Sequence, residues 1–221
     1  PGWQRLGGPH ASSFAGPDGA RFRDRRLSSI HGHARFVRGY FSRHSSANNH
    51  LIGEAAGLYV AARTWPLWPE ARQWLAAAQA IIERGTLLQN GTDGVNREQA
   101  VSYQQFELDL LLLAMLAARA HDARFSPAVE HRINTMLEFI AGIMDAGGNV
   151  PAIGDSDDGC VVRLSQEPKF CRYRSVLATG ALLFTRDDFR ARAGKLDDKT
   201  RWLFGDKADT RFAAAARASQ S

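Results

Sequence analysis

Asn48, Asn49, His50 and Glu54 crowd the opening of a stretch that otherwise turns apolar, Ser45-Ser46-Ala47-Asn48-Asn49-His50-Leu51-Ile52-Gly53-Glu54. Asn and His are mediocre helix formers, so helix stability gives no reason for the cluster. A second polar helix start follows later, Asp93-Gly94-Val95-Asn96-Arg97-Glu98-Gln99-Ala100-Val101-Ser102-Tyr103. If the two starts face one cleft, their side chains suit a single reaction. The Asn49 amide and the His50 imidazole can donate hydrogen bonds to a carboxylate and neutralise it. That acidifies the adjacent C–H, because the carbanion delocalises into a stabilised enediolate. The Tyr103 hydroxyl can take that proton or give one to the leaving oxygen. These parts fit β-elimination from a uronic acid, a reaction that needs no metal and no cofactor. Asn48, Glu54 and Gln99 are placed to bind substrate, with orienting Tyr103 as the alternative role for Gln99. Glu54, one turn after His50, is placed to fix the imidazole tautomer.

Each residue also has an ordinary structural explanation. Asn48 and Asn49 can cap a helix, His50 can be a surface imidazole, and Tyr103 can pack between helices. Only their clustering at two helix starts, each preceded by a turn, weighs against those readings.

The elements that must position these residues are helical. Apolar residues recur at helical spacing over 24–43, with Leu27, Ile30, Ala34, Val37 and Phe41 on one side and Arg25, Arg26, Arg35, Arg38 and Arg43 largely off it. His31 and His33, two apart on that helix, diverge too far to share a metal. A second helix is expected over 47–63, with Ser45 and Ser46 as cap candidates. Its Gly53 and Gly57 leave a bare face that must admit either another helix or a ligand. The turn Trp65-Pro66-Leu67-Trp68-Pro69 leads into a third helix reaching Leu88, its tryptophans suited to helix packing or, less commonly, to stacking on sugar. Asn90-Gly91-Thr92-Asp93-Gly94 is a loop. A fourth helix is expected over 97–121, apolar on all sides at Leu110–Leu113 and therefore central, with Gln99, Tyr103 and Glu107 on one face. Helices over 127–145 and 172–188 follow, separated by an acidic, glycine-rich loop, residues 148–159. That loop lacks the acidic spacing and closing Glu of an EF-hand.

Residues 1–23 read as an irregular leader, 24–190 as the helical domain, and 191–221 as a charged, then Ala-rich, poorly tied terminus or linker. The chain starts at Pro1 and so is expected to be a piece of a longer protein. With 221 residues it can bury a sizeable core, and helices joined by short loops without a convincing strand predict an all-α packing of antiparallel hairpins. The net charge of +5 favours an anionic partner, whether polysaccharide, nucleic acid or membrane surface. No metal-type Cys/His spacing and no long apolar span is present. The sequence leaves open whether Cys160 and Cys171 pair.

The strings Ser46-Ala47-Asn48-Asn49-His50-Leu51-Ile52-Gly53-Glu54-Ala55-Ala56-Gly57-Leu58 and Glu98-Gln99-Ala100-Val101-Ser102-Tyr103-Gln104-Gln105-Phe106 resemble the two signature stretches of the heparinase II/III-like polysaccharide lyases. The Trp-Pro turn and Pro151-Ala152-Ile153-Gly154-Asp155-Ser156-Asp157-Asp158-Gly159 extend the resemblance over roughly 25–190. It implies an incomplete (α/α) toroid of helical hairpins, this chain being the C-terminal part, followed in the family by a β-sandwich domain. The resemblance also implies eliminative cleavage of a uronate polysaccharide such as heparan sulfate or alginate. Asn49, with His50 beside it, matches the carboxylate-neutralising pair, and Tyr103 the catalytic acid/base. The partner so implied is an acidic polysaccharide, not nucleic acid or a membrane, and the location periplasmic or extracellular. Two departures stand out. The family's β-sandwich supplies a further catalytic His, so the resemblance implies that this chain holds half of a catalytic site and leaves open whether it is active alone; and Ala100 stands where Ser is common. Two other readings remain: hydrolysis by Glu54 paired with Asp155 or Asp157, and a non-catalytic polyanion- or carbohydrate-binding module using the Arg-rich helix.

Overall fold

The computed structural model describes residues 16–156 and 159–215. These form nine helices: α1 (Gly16–Gly39), α2 (Asn49–Thr64), α3 (Ala71–Gln89), α4 (Val101–Arg119), α5 (Pro127–Ile143), α6 (Arg172–Phe184), α7 (Asp187–Ala193), α8 (Asp198–Phe204) and α9 (Ala208–Ala215). Among the described residues there is no strand, only an isolated bridge between Asn90 and Asn96. The fold is all-α, as the periodicity predicts.

Helix α4 is the central element. Leu108, Leu111, Leu112, Ala114 and Met115 are all buried, and the helix packs against α2, α5 and α6. An all-round apolar sequence has no solvent face to offer, so it takes the middle of the packing. Helices α2 and α3 form a close hairpin in which Ile52, Tyr59, Trp74 and Ile82 are buried. A Cβ at Gly85 would lie 2.6 Å from Ile52 Cδ1, so this glycine lets α2 and α3 approach. Ser126 starts α5 by accepting the Val129 N–H, with Pro127 in the first turn.

Several boundaries differ from the periodicity, for local reasons. Helix α1 begins at Gly16, so residues 16–23 of the expected leader are helical; residues 1–15 lie outside the described structure. Asn48, not Ser45 or Ser46, caps α2, because residues 45–48 are used in a turn. Helix α4 starts at Val101, since Gln99 has φ +56° and cannot lie in a right-handed helix. His31 packs against Trp68 and Trp74, with ring centroids 5.0 and 5.4 Å away, so this part of the Trp-Pro turn holds α1 to the hairpin. Cys160 and Cys171 are both free thiols.

Within the segment read as a poorly tied terminus, residues 198–215 fold back instead, as α8 and α9, and residues 216–221 lie outside the described structure. Lys199 Nζ meets Asp109 Oδ1 at 2.5 Å, with side chains only 3% and 9% exposed. Burial pushes the Asp109 carboxyl up, against the opposing pull of Lys199. Asp197 caps α8 by accepting from Thr200 N and Oγ1, and it also accepts from Ser175 Oγ on α6. Ala208 and Phe212 of α9 complete the cover. A lysine in a charged stretch gives no sign in sequence that its partner lies on a distant helix.

Removing one member of a buried ion pair strands the other. Lys199→Ala is therefore expected to cost about 3–5 kcal/mol in urea unfolding, whereas Lys199→Met with Asp109→Leu is expected to recover most of it. Equal losses in the single and double variants would show that the pair does not secure α8.

Candidate functional site

Two helix starts and one loop meet around a cavity of about 620 Å³, lined by residues including Asn48, Asn49, His50, Gly53, Glu54, Glu98, Ser102 and Tyr103. The structure thus brings Asn48, Asn49, His50, Glu54 and Tyr103 to one cleft. Gln99 does not line it.

Asn48 is the cap of α2, its Oδ1 accepting the His50 N–H at 3.2 Å. With the carbonyl end of that amide engaged, Nδ2 points to Glu98 Oε2, 3.2 Å away. Asn49, the first residue of α2, reaches the same carboxylate twice, through its backbone N–H to Oε1 at 3.1 Å and through Nδ2 to Oε2 at 3.0 Å. Gln89, at the end of α3, steadies the turn by donating to the carbonyls of Ala47 and Asn48 at 3.2 and 3.1 Å. His50 is exposed and lines the cavity.

Glu54 does not orient His50. Its carboxylate accepts the N–H and the hydroxyl of Ser42 at 2.7 and 2.6 Å, pinning the α1–α2 connection onto α2. Gln99 is displaced for a related reason. It lies outside α4, is exposed, and closes a turn by donating its N–H to Asn96 O at 3.0 Å. The four-residue spacing of Gln99, Tyr103 and Glu107 therefore does not describe one helical face.

Tyr103, half-buried in the first turn of α4, donates its hydroxyl to Asp155 Oδ2 at 2.6 Å. The same loop caps the helix: Ile153 O accepts from Val101 N at 3.1 Å and Asp155 O from Ser102 Oγ at 2.8 Å. Gly154 permits this approach. Its φ is +73°, and a Cβ there would stand 2.2 Å from Gln99 O. Hydrogen bonds from Tyr103 and then Ser156 hold the exposed Asp155 carboxyl below its ordinary range. Asp157, the other acid considered for hydrolysis, lies outside the described residues.

Behind the cleft is a buried polar network. Glu107, fully buried, accepts from Asn90 Nδ2 at 2.8 Å and Asn96 Nδ2 at 2.6 Å. Asn96 Nδ2 also reaches Asn90 Oδ1 at 3.0 Å, and Asn96 Oδ1 accepts the Glu98 N–H at 2.9 Å. Gln104 holds the same loop, accepting from Asn96 N and donating to Gly94 O. Gly94, with φ +82°, passes so close to Thr135 O of α5 that a Cβ would lie 2.3 Å from it. Burial pushes the Glu107 carboxyl up to about 7, with Asn90 and Asn96 pulling the other way and the Glu98 charge adding to the rise.

Sequence reasoning missed Glu98, Asn90, Asn96 and Glu107 as parts of this assembly. The signal was two amides and an acid, Asn90, Asn96 and Glu98, in a short, turn-rich stretch; the convergence of the two amides on buried Glu107 depends on a loop path that spacing does not encode. The bare face of α2 is also clarified. A Cβ at Gly57 would meet nothing within 4 Å and one at Gly53 only Leu110. Both glycines open onto an adjoining apolar cavity of about 480 Å³ beside Ile30, Ala34 and Val37 of α1. Among the described residues no group of three or more His, Cys, Asp or Glu is arranged to hold a metal.

A carboxyl whose folded pKa is raised from 4.5 to about 7 contributes stability that is fully present below the unfolded value and lost as pH rises through 7. Over that window wild type is expected to lose about 3 kcal/mol relative to Glu107→Gln. Urea unfolding of both proteins at several pH values measures it; parallel profiles would mean that Glu107 ionises normally.

The heparinase II/III N-terminus family model matches residues 21–172, which span both helix starts, the Trp-Pro turn and the Asp155 loop. No curated protein and no solved structure matches the chain. The match covers more than half of the sequence, and with it the chain belongs to the heparinase II/III family, through that family's N-terminal region, and is related to the polysaccharide lyases.

Proposed function

We propose that the protein cleaves a uronate-containing acidic polysaccharide by β-elimination. The observation that carries this reading is the meeting of Asn49, His50 and Tyr103 around one cavity, with carboxylate-directed donors on one side and a phenol on the other. The uronate carboxylate is seated against the Asn49 amide, with the His50 imidazole beside it. Loss of the C5 proton then gives an enediolate that those donors stabilise. The Tyr103 phenolate takes the C5 proton and, as the phenol so formed, returns it to the departing O4, so that the C4–O4 bond breaks as the C4–C5 double bond forms. Asp155, accepting the phenol hydrogen, aims Tyr103 along the wall of the cavity. Asn48 supports Asn49 from the cap position.

The surplus of positive charge supports an anionic polymer as partner. Family membership supports a role in the periplasm or outside the cell, and a β-sandwich domain as the partner of this helical domain. Hydrolysis by a carboxylate pair has less support. Glu54 is engaged by Ser42 and Asp155 by Tyr103, so neither is placed as an unencumbered acid or base.

The protein, incubated with heparan sulfate, alginate and other uronate polymers, is expected to release products carrying the ultraviolet absorbance of an unsaturated uronate. Tyr103→Phe is expected to slow that release about 10²–10⁴-fold while leaving polymer binding in place. Undiminished activity in the variant would remove Tyr103 from the mechanism. Saturated products would indicate hydrolysis, and salt-sensitive binding without product would indicate a binding module.

A further inference from the structure

We propose that Glu98 is a positioning residue, whose carboxylate orients the Asn49 amide so that one N–H is held internally and the other faces the substrate carboxylate. This rests on the uronate reading of the cleft and adds a residue to it.

Each group at this corner is limited in what it can donate or accept. A carboxylate without a proton only accepts, whereas the two ends of an Asn amide are opposite in character. Three uncharged donors converge on Glu98: Asn48 Nδ2 at 3.2 Å, Asn49 N at 3.1 Å and Asn49 Nδ2 at 3.0 Å. Asn48 cannot turn over, because its Oδ1 already accepts the His50 N–H. Turning Asn49 over would set Oδ1 against the Glu98 carboxylate, oxygen to oxygen. Glu98 therefore selects the amide orientation in which nitrogen, with two N–H bonds, lies at the cavity. The carboxylate uses one, and the second is available to a ligand. Glu98 is itself fixed from behind, its N–H bound by Asn96 Oδ1 at 2.9 Å and Asn96 tied in turn to buried Glu107. A rotor that is otherwise two-fold is thus settled before substrate arrives, which is the condition for electrostatic preorganisation.

Glu98→Gln is the informative variant, because it keeps size while replacing one acceptor oxygen with a donor. With the Gln oxygen on Asn49 N–H, its NH₂ meets both Asn49 Nδ2 and Asn48 Nδ2; turning the Asn49 amide over relieves the first contact, while Asn48, held by the His50 N–H, loses its acceptor. Binding is measured in the Tyr103→Phe background, so that turnover does not interfere. The probes are a short hexuronate oligosaccharide and its carboxyl-reduced counterpart, titrated against that chain alone and with Glu98→Gln, Asn49→Ala or both. Glu98→Gln is expected to weaken uronate binding about tenfold to a hundredfold. The reduced sugar is expected to stay within about twofold, and Asn49→Ala is expected to cost little more once Glu98→Gln is present.

Additive losses, equal losses for both sugars, or tighter uronate binding in Glu98→Gln would overturn the proposal; the last would mean that Glu98 acts through charge repulsion. Failure of the parent chain to distinguish the two sugars overturns the uronate reading and the Glu98 role together. Discrimination that survives Glu98→Gln overturns only the latter. A second measurement needs no change at position 98. In ¹⁵N-Asn-labelled Tyr103→Phe protein, the uronate is expected to shift one of the two Asn49 side-chain amide protons and leave the other, and movement of both or neither counts against the assignment.

Discussion

The site depends on a carboxylate that never reaches it. Glu107 is buried in the middle of α4 with only amides for partners, and its two oxygens gather Asn90 and Asn96 from the loop between α3 and α4. An unpaired buried acid would be costly, so the loop is held in the one path that satisfies it. That path sets the backbone at Glu98, and Glu98 reaches the cap of α2. A packing requirement inside the domain thereby fixes the relation between two helix starts that chain connectivity alone would leave loose.

The cleft side of this assembly is built from neutral donors. Amide meets carboxylate where Asn48 and Asn49 donate to Glu98, and phenol meets carboxylate where Tyr103 donates to Asp155. Neutral donors suit an elimination. A fixed cation would bind the ground-state carboxylate strongly, whereas oriented dipoles respond to charge as it builds on the carboxyl oxygens in the transition state. The surplus of Arg, much of it on α1, is better suited to attracting a polyanion from a distance than to chemistry.

Much of the architecture was legible in the sequence because it rests on periodicity. The helical class, the central place of α4 and the α2–α3 hairpin follow from apolar spacing that tertiary context did not need to override. The clustering of Asn49, His50 and Tyr103 was legible too, since polar residues at helix starts are conspicuous. What escaped depended on loop geometry or remote partners. Spacing puts Gln99 on a helix face that its left-handed backbone excludes, and pairs Glu54 with His50 although Ser42 holds it. Glu98 was one residue among several in a turn. Lys199 looked like a solvated charge because its partner, Asp109, is close only in space.

Asp109 and Glu107 together show how one helix serves both stability and geometry. Two residues apart on α4, their side chains diverge by about 200°, so they face opposite sides of the same helix. Glu107 turns to the loop that carries Glu98, and Asp109 turns to Lys199 on α8. Tyr103 lies one turn before Glu107, the interval at which side chains share a helical face. The helix is thus held on one side by a hydrogen-bonded acid and on the other by an ion pair. Neither contact touches the cavity, yet both restrict rotation of α4 about its axis. For a phenol that must meet a proton at hydrogen-bonding distance, that restriction is what turns a half-buried tyrosine into a defined wall of the cleft.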